Sequence, residues 1–252
     1  MKALLKELFF RCLPYRPLPR DRAVILMYHS VDASSDAFMN VRPERFEAQM
    51  SYLRAKNVQV ISLEELVCRL RAKESLGGAA VITFDDGYRD NFVAAFPILQ
   101  RYRFPATIFV TTSLIGKTDE QGRGHLSSDD MKTMLESGLI DIQPHTQTHP
   151  KLSRASDAIA EAEIRGSKRD LETMLGETRR HFAYPFGDFS DTSVDIVRRC
   201  GFESAVTVKE GTVGPDADLF RVPRVSVDRS TTPAQFRGKI SGAIDRYQSL
   251  KH

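Results

Sequence analysis

The stretch ITFDDGYRDN, residues 82–91, places two adjacent carboxylates, Asp85 and Asp86, between an apolar run and a glycine. The preceding AAVITF (79–84) reads as a buried strand, and DDG ends it. Neighbouring residues leaving a strand point to roughly opposite sides, so the two carboxylates need not share one environment. One can hold a metal while the other faces a bound water. For DDG alone the plainer reading is a polar turn closing a strand, so the rest of the chain has to decide.

Around this stretch, short β-rich apolar runs alternate with capped helical patterns, the signature of βα units and a parallel sheet. The strand candidates are 23–28, 58–61, 79–84, 106–110, 139–142, 181–184, 204–208 and 224–227. Phe46, Met50 and Leu53 form a helical stripe, and Leu63, Leu66, Val67 and Leu70 follow a Ser62/Glu65 capping pattern. A helix starts at Ser127 or Ser128 and stops at Gly138. A long helix runs from about Asp157 to Leu175, and a last one starts near Thr232 and Pro233 with Phe236, Ile240, Ile244 and Tyr247 inward. This pattern suits an incomplete β/α barrel or an open doubly wound sheet. The barrel is favoured because the candidate chemistry falls at the carboxyl ends of strands.

Three further motifs lie at such ends. HTQTH (145–149) follows the candidate strand LIDI and sets His145 and His149 four residues apart, a spacing that suits a shared metal ion. An Asp, His, His set with open coordination positions, next to a second carboxylate, is the layout of a hydrolytic site. Asp86, His145 and His149 are then the ligands, and Asp85 takes the proton of the attacking water. His29 in LMYHSV ends the first strand and can protonate a leaving nitrogen. FAYPFGDFS (182–190) is a shaped loop in which Tyr184, Pro185 and Phe186 can line a groove while backbone N–H groups face an oxyanion. His125, His181 and His252 have no comparable setting and read as surface or structural residues.

Taken together, TFDDG (83–87), HTQTH (145–149) and FAYPFG (182–187) resemble the polysaccharide deacetylase family, the NodB homology domain of carbohydrate esterases, over about residues 23–227. The resemblance implies a distorted (β/α)7 barrel and a divalent metal, usually zinc, on Asp86, His145 and His149. It also implies hydrolysis of N-acetyl groups from amino sugars, with Asp85 as base and the Phe186 N–H at the oxyanion. Two positions depart from the family pattern. The arginine that orients the catalytic aspartate in many members is replaced by Ala183, and Arg224, then Arg221, is the expected substitute. A late Leu-x-His acid is also missing, and the early YH motif of one subgroup, matched by Tyr28 and His29, passes that role to His29.

Two rival readings follow from the same residues. Haloacid-dehalogenase-type phosphatases also place aspartates after an apolar strand, but they separate the pair by one residue and leave His145 and His149 unexplained. A catalytically inactive glycan-binding module on the deacetylase fold is the other rival. Retention of the base Asp85 beside all three ligands argues against it.

Composition bounds the remaining classes. The 252 residues carry a net charge of +3, with 41% hydrophobic and 27% charged residues, as in an ordinary globular domain. Residues 1–22 hold +4 of that charge, so the catalytic body of 23–252 is nearly neutral and offers no basic face for nucleic acid. Cys12, Cys68 and Cys200 are widely spaced, which fits a reducing compartment and no thiolate metal site. The first 22 residues lack a convincing signal-peptide pattern but show a basic amphipathic stripe of Leu4, Leu5, Leu8, Phe9 and Cys12. These features set the expectation of a cytoplasmic protein in peripheral contact with the inner membrane face. Its expected substrate is a glycan or glycolipid bearing N-acetylated amino sugar, lipid-linked or of lipopolysaccharide type.

Overall fold

The computed structural model describes residues 7, 9–11 and 16–249. Seven parallel strands form one sheet: β1 (Ala23–Tyr28), β2 (Ala79–Phe84), β3 (Ala106–Val110), β4 (Ile140–Pro144), β5 (His181–Ala183), β6 (Ser204–Glu210) and β7 (Val222–Ser226). Their spatial order is β4-β3-β2-β1-β7-β6-β5. β1, β2 and β3 are buried at every position, as strands covered on both faces must be.

Strand alternation divides the core in two. Ile25, Val81, Phe109, Val206 and Val222 share the interior cluster, closed at the amino end of the barrel by Leu63, Leu66, Val67 and Leu70 of helix α2 (Leu63–Ala72). Leu26, Tyr28, Ile82 and Phe84 face outward onto Phe46, Met50 and Leu53 of α1 (Pro43–Ala55). Thr83 and Asp85 continue the inward set of Ala79 and Val81, and Arg224 continues that of Val222.

The barrel is nearly closed. Among the described residues no backbone ladder joins β4 to β5, and side chains span that seam instead. Arg179 donates to the Ile142 carbonyl at 2.7 Å. The Gln143 Oε1 accepts from the Arg180 and His181 N–H groups, both at 2.9 Å. His145 Nδ1 meets the Ala183 carbonyl at 2.7 Å. The sheet is thus a distorted (β/α)7 barrel whose last joint is made by side chains.

Several helix ends follow their sequence signals. Ser62 caps α2 by accepting from the Glu65 N–H, and Ser127 forms a capping box with Asp130 at α4 (Ser128–Glu136). The long helix α5 spans Asp157–Leu175 and stops at Gly176, and α6 (Asp191–Arg199) follows β5. Three details differ from expectation. Residues 58–61 do not form a strand: Val60 makes a single bridge to Ala80, because that edge of β2 is taken over by β3 from Thr83 onward. The last helix is broken into α7 (Pro233–Ile240) and α8 (Ala243–Ser249) at Gly242, where φ is +71° and a Cβ would strike the Leu18 side chain. A helical segment after β2, a π-turn at Asn91–Ala95 leading into α3 (Phe96–Tyr102), carries no alternating signal in the sequence.

Most of the expected amphipathic stripe, namely Leu4, Leu5, Leu8 and Cys12, lies outside the described residues, as does His252. Of its described neighbours, Phe10 is buried against Gly238 and Tyr247, and Glu7 accepts hydrogen bonds from Thr232 and Gln235. No helix among the described residues is long and apolar enough to cross a membrane.

Candidate active site

Asp85 follows the inward alternation of β2 into the barrel, where it is fully buried. Arg224, reaching in from β7, donates to both of its oxygens, at 2.7 Å to Oδ1 and 2.6 Å to Oδ2. The guanidinium is itself held by the Thr207 carbonyl at 2.8 Å, by Thr83 Oγ1 at 3.2 Å and by the face of Phe109. Burial pushes the Asp85 carboxyl up, but the Arg224 charge and hydrogen bonds prevail and hold it below the usual carboxylate range. Arg224 thus makes with Asp85 the ion pair for which Ala183 has no side chain. Arg221 is turned to the surface, on Asp191 and Asp218.

Asp86 turns away from its neighbour because the chain enters the left-handed region there, with φ at +71° for both Asp86 and Gly87. A Cβ at Gly87 would press on Val110 at 3.0 Å, so the tight turn needs glycine. Asp86 Oδ1 lies 3.3 Å from His149 Nε2 and 3.7 Å from His145 Nε2, and the two imidazole nitrogens are 3.2 Å apart. Among the described residues these three are the one His, Cys, Asp and Glu group arranged to hold a metal ion.

The histidine pair is not on a helix, as its spacing alone could suggest. It sits on a loop after β4 in which Thr146 and His149 both have positive φ, +65° and +62°, and Thr146 Oγ1 accepts from the His149 N–H at 3.0 Å. The Ala183 carbonyl can only accept, so His145 Nδ1 carries the proton and Nε2 is left as a lone pair directed at Asp86 and His149. Burial pushes the His145 imidazole down to about 4, so it is neutral at pH 7. Burial acts against ionisation of Asp86, yet its hydrogen bond with His149 and the nearby His29 and His145 hold it well below the carboxylate range. A neutral imidazole, a carboxylate and a second imidazole converging on one point fit a divalent ion of the zinc type.

Among the described residues, seven non-glycine residues have positive φ. Asn57, Lys73 and Arg103 follow helix ends, whereas Asp86, Thr146, His149 and Phe186 all line this site. Such conformations cost about 1–3 kcal/mol each and collect where function needs them.

His29 leaves β1 at the same rim, near enough to Asp85 and Asp86 to favour their ionised forms. Its Nδ1 is buried with no hydrogen-bond partner, and its carbonyl accepts from Asn91 Nδ2 at 2.8 Å. Phe186 has its ring 4.4 Å from that of His149 and is 57% exposed.

Tyr184 and Pro185 do not line a groove. Both are buried, and the Tyr184 hydroxyl donates to the Phe220 carbonyl at 3.0 Å while its ring packs on Phe182 and Phe189. Tyr184 is inward toward the outer hydrophobic layer because it continues β5, whose side chains alternate into that layer with Phe182. Of the two readings left open for His125 and His181, the structural one holds, since both are buried: His181 is clamped between Ser204 and Glu64, both at 2.9 Å, and His125 packs on Tyr88. Tyr88 was not singled out by the sequence, yet it is buried beside the Asp86 turn, packed on His125 and under the Arg123 guanidinium. Its place directly after DDG was the available signal.

With this geometry in place, comparison with known proteins is direct. Residues 72–205 match the polysaccharide deacetylase family model. The Bacillus subtilis protein YxkH is 30% identical over 213 residues, 84% of this chain and 74% of that protein. A Staphylococcus epidermidis poly-β-1,6-N-acetyl-D-glucosamine N-deacetylase is 30% identical over 197 residues, 75% of this chain and 68% of the relative. Among solved structures, IcaB from Ammonifex degensii superposes with a TM-score of 0.80 at 28% identity, covering 90% of this chain and all of the other. The Streptococcus pyogenes deacetylase PplD, solved with acetate, superposes with a TM-score of 0.79 at 28% identity, covering 88% of this chain and 99% of the other. The chain belongs to the polysaccharide deacetylase family and is a hydrolase of the carbon–nitrogen, non-peptide class.

Proposed function

We propose that this protein is a metal-dependent deacetylase that removes N-acetyl groups from N-acetylhexosamine residues of a polymeric glycan. The observation that carries the reading is the convergence of Asp86, His145 and His149 on one point, with the Asp85–Arg224 pair beside it. Zinc is the favoured metal on the donor set of two nitrogens and one oxygen. A divalent ion held by these three residues supplies a Lewis acid for the acetyl carbonyl and lowers the pKa of water to about 7.

The chain's own residues account for the proton traffic. Asp85 stays ionised and accepts the proton of the attacking water; each carboxylate oxygen keeps a lone pair beyond its bond to Arg224. Arg224 fixes the angle at which that oxygen is presented. His29, at the same rim, returns a proton to the leaving nitrogen, so that amide and water become amine and acetate. The Phe186 N–H faces the oxyanion, and the exposed Phe186 ring supports a sugar face beside His149.

Relatives that act on poly-β-1,6-N-acetylglucosamine favour a polymer of this kind over a lipid-linked sugar as the first substrate to test. The experiment is acetate release from β-1,6-linked N-acetylglucosamine oligomers by protein stripped with chelator and then reloaded with zinc or cobalt. Release that returns with metal and is abolished by Asp85→Asn supports the reading. Release that persists without metal overturns it.

A further inference from the structure

β1 and β2 run side by side up to the rung in which the Asp85 N–H donates to the Tyr28 carbonyl at 3.0 Å. Beyond it, β2 gives way to the DDG turn, and His29, Ser30 and Val31 lose their strand partner on that side. Two side chains take over. Asn91 Nδ2 donates to the His29 carbonyl at 2.8 Å, the Ser30 hydroxyl donates to Asp90 Oδ2 at 2.7 Å, and the Val31 N–H donates to Asp90 Oδ1 at 2.8 Å. Three consecutive residues after β1 are thus tied to two consecutive residues after the DDG turn.

The tie is held from both sides. Asn91 is fully buried at the start of the π-turn, and its Nδ2 also donates to Asp90 Oδ1 at 3.0 Å. Both neighbours of that nitrogen are acceptors, so the orientation of the amide is fixed. On the far side, the Val41 N–H donates to the Ser30 carbonyl at 3.0 Å, and the buried Asn40 accepts from the Asp32 N–H at 2.9 Å. Strand alternation meanwhile sends His29 inward with Ile25, toward the side where Asp85 stands. The His29 carbonyl and imidazole leave the same Cα, so holding the first limits where the second can go.

We infer that Asp90 and Asn91 are positioning residues for His29: they fix the backbone of residues 29–31 and so aim the imidazole at the nitrogen that leaves. The inference rests on the reading of His29 as the proton donor. It gives base and donor one common mount, since Asp85 and the Asp90–Asn91 pair belong to the same turn. A misplacement of about 1 Å in such a group can cost about 100-fold in rate.

The test compares two acetyl substrates on the zinc-loaded full chain, a β-1,6-linked N-acetylglucosamine oligomer and 4-nitrophenyl acetate. The amine must receive a proton as its C–N bond breaks, whereas nitrophenolate departs as the anion and needs none. The quantity read is the ratio of amide to aryl-ester turnover, for wild type, His29→Ala, Asn91→Ala and Ser30→Ala. The expected result is a ratio lowered by about 10-fold to 100-fold in Asn91→Ala, in the direction of His29→Ala, with zinc still stoichiometric. Ser30→Ala, which removes one tie and leaves Asn91 in place, should lower it by less and carries the test where Asn91→Ala does not fold. A wild-type ratio in the folded variants overturns the inference, whether turnover on the two substrates is kept or falls together, because a merely structural role affects both alike. A wild-type ratio in His29→Ala overturns the choice of proton donor itself, and aryl-ester turnover with no acetate from the oligomer in wild type counts against the deacetylase reading, so the failures are distinguishable.

Discussion

Arg224 and Asp85, 139 residues apart, form a two-pronged ion pair sealed inside the barrel, with both partners buried. Removing one partner leaves the other charge uncompensated in a medium that cannot solvate it. Arg224→Met should therefore destabilise the protein by about 3–5 kcal/mol in urea unfolding. The double variant Arg224→Met with Asp85→Asn should recover much of that loss without recovering activity. A single variant as stable as wild type would show that water reaches the pair.

Acid should dismantle the same pair. The folded Asp85 carboxyl lies below its ordinary value, so its stabilisation is complete above about pH 4, the unfolded aspartate value. It is lost as pH falls through the lower folded value. The stability gap between wild type and the double variant should then be constant from neutral pH to about 4 and shrink below it, measured by urea midpoints across pH.

Asp85→Asn and His149→Ala should separate chemistry from ligation. The first removes the base and should lower turnover by about 10²–10⁴-fold while retaining stoichiometric metal. The second should lose metal itself, read by metal analysis after dialysis. Loss of metal in Asp85→Asn would assign Asp85 to the ligand set.

Phe186 offers two groups, and they can be told apart. Phe186→Ala keeps the backbone N–H but removes an exposed ring, so KM should rise with kcat little changed and stability within about 0.5 kcal/mol. A fall in kcat alone would mean that the ring orders His149, 4.4 Å away, rather than the sugar.

Tyr184→Phe should leave both kinetic parameters intact. Its hydroxyl is committed to the Phe220 carbonyl, and losing that bond should cost about 1 kcal/mol. A raised KM would return Tyr184 to the substrate groove.

Local order in the chain was enough to single out most of the residues that meet at the candidate site. The apolar run before DDG placed Asp85 and Asp86 at a strand end, the HTQTH spacing paired two imidazoles, and capping residues such as Ser62 and Ser127 marked helix starts, because each of these signals lies within a few residues. Tyr184 was misread for the complementary reason: an aromatic in a glycine–proline loop looks available until the outer hydrophobic layer closes over it. Residues 58–61 look like a strand until β3 claims the edge they would need. What required the folded chain was every relationship across the barrel. These include Arg224 on Asp85, the Ala183 carbonyl choosing the tautomer of His145, and the packing of His125 and Arg123 on Tyr88. Such pairings depend on strand order and inward alternation around a closed sheet, and these follow from burying all seven strands at once rather than from any one segment.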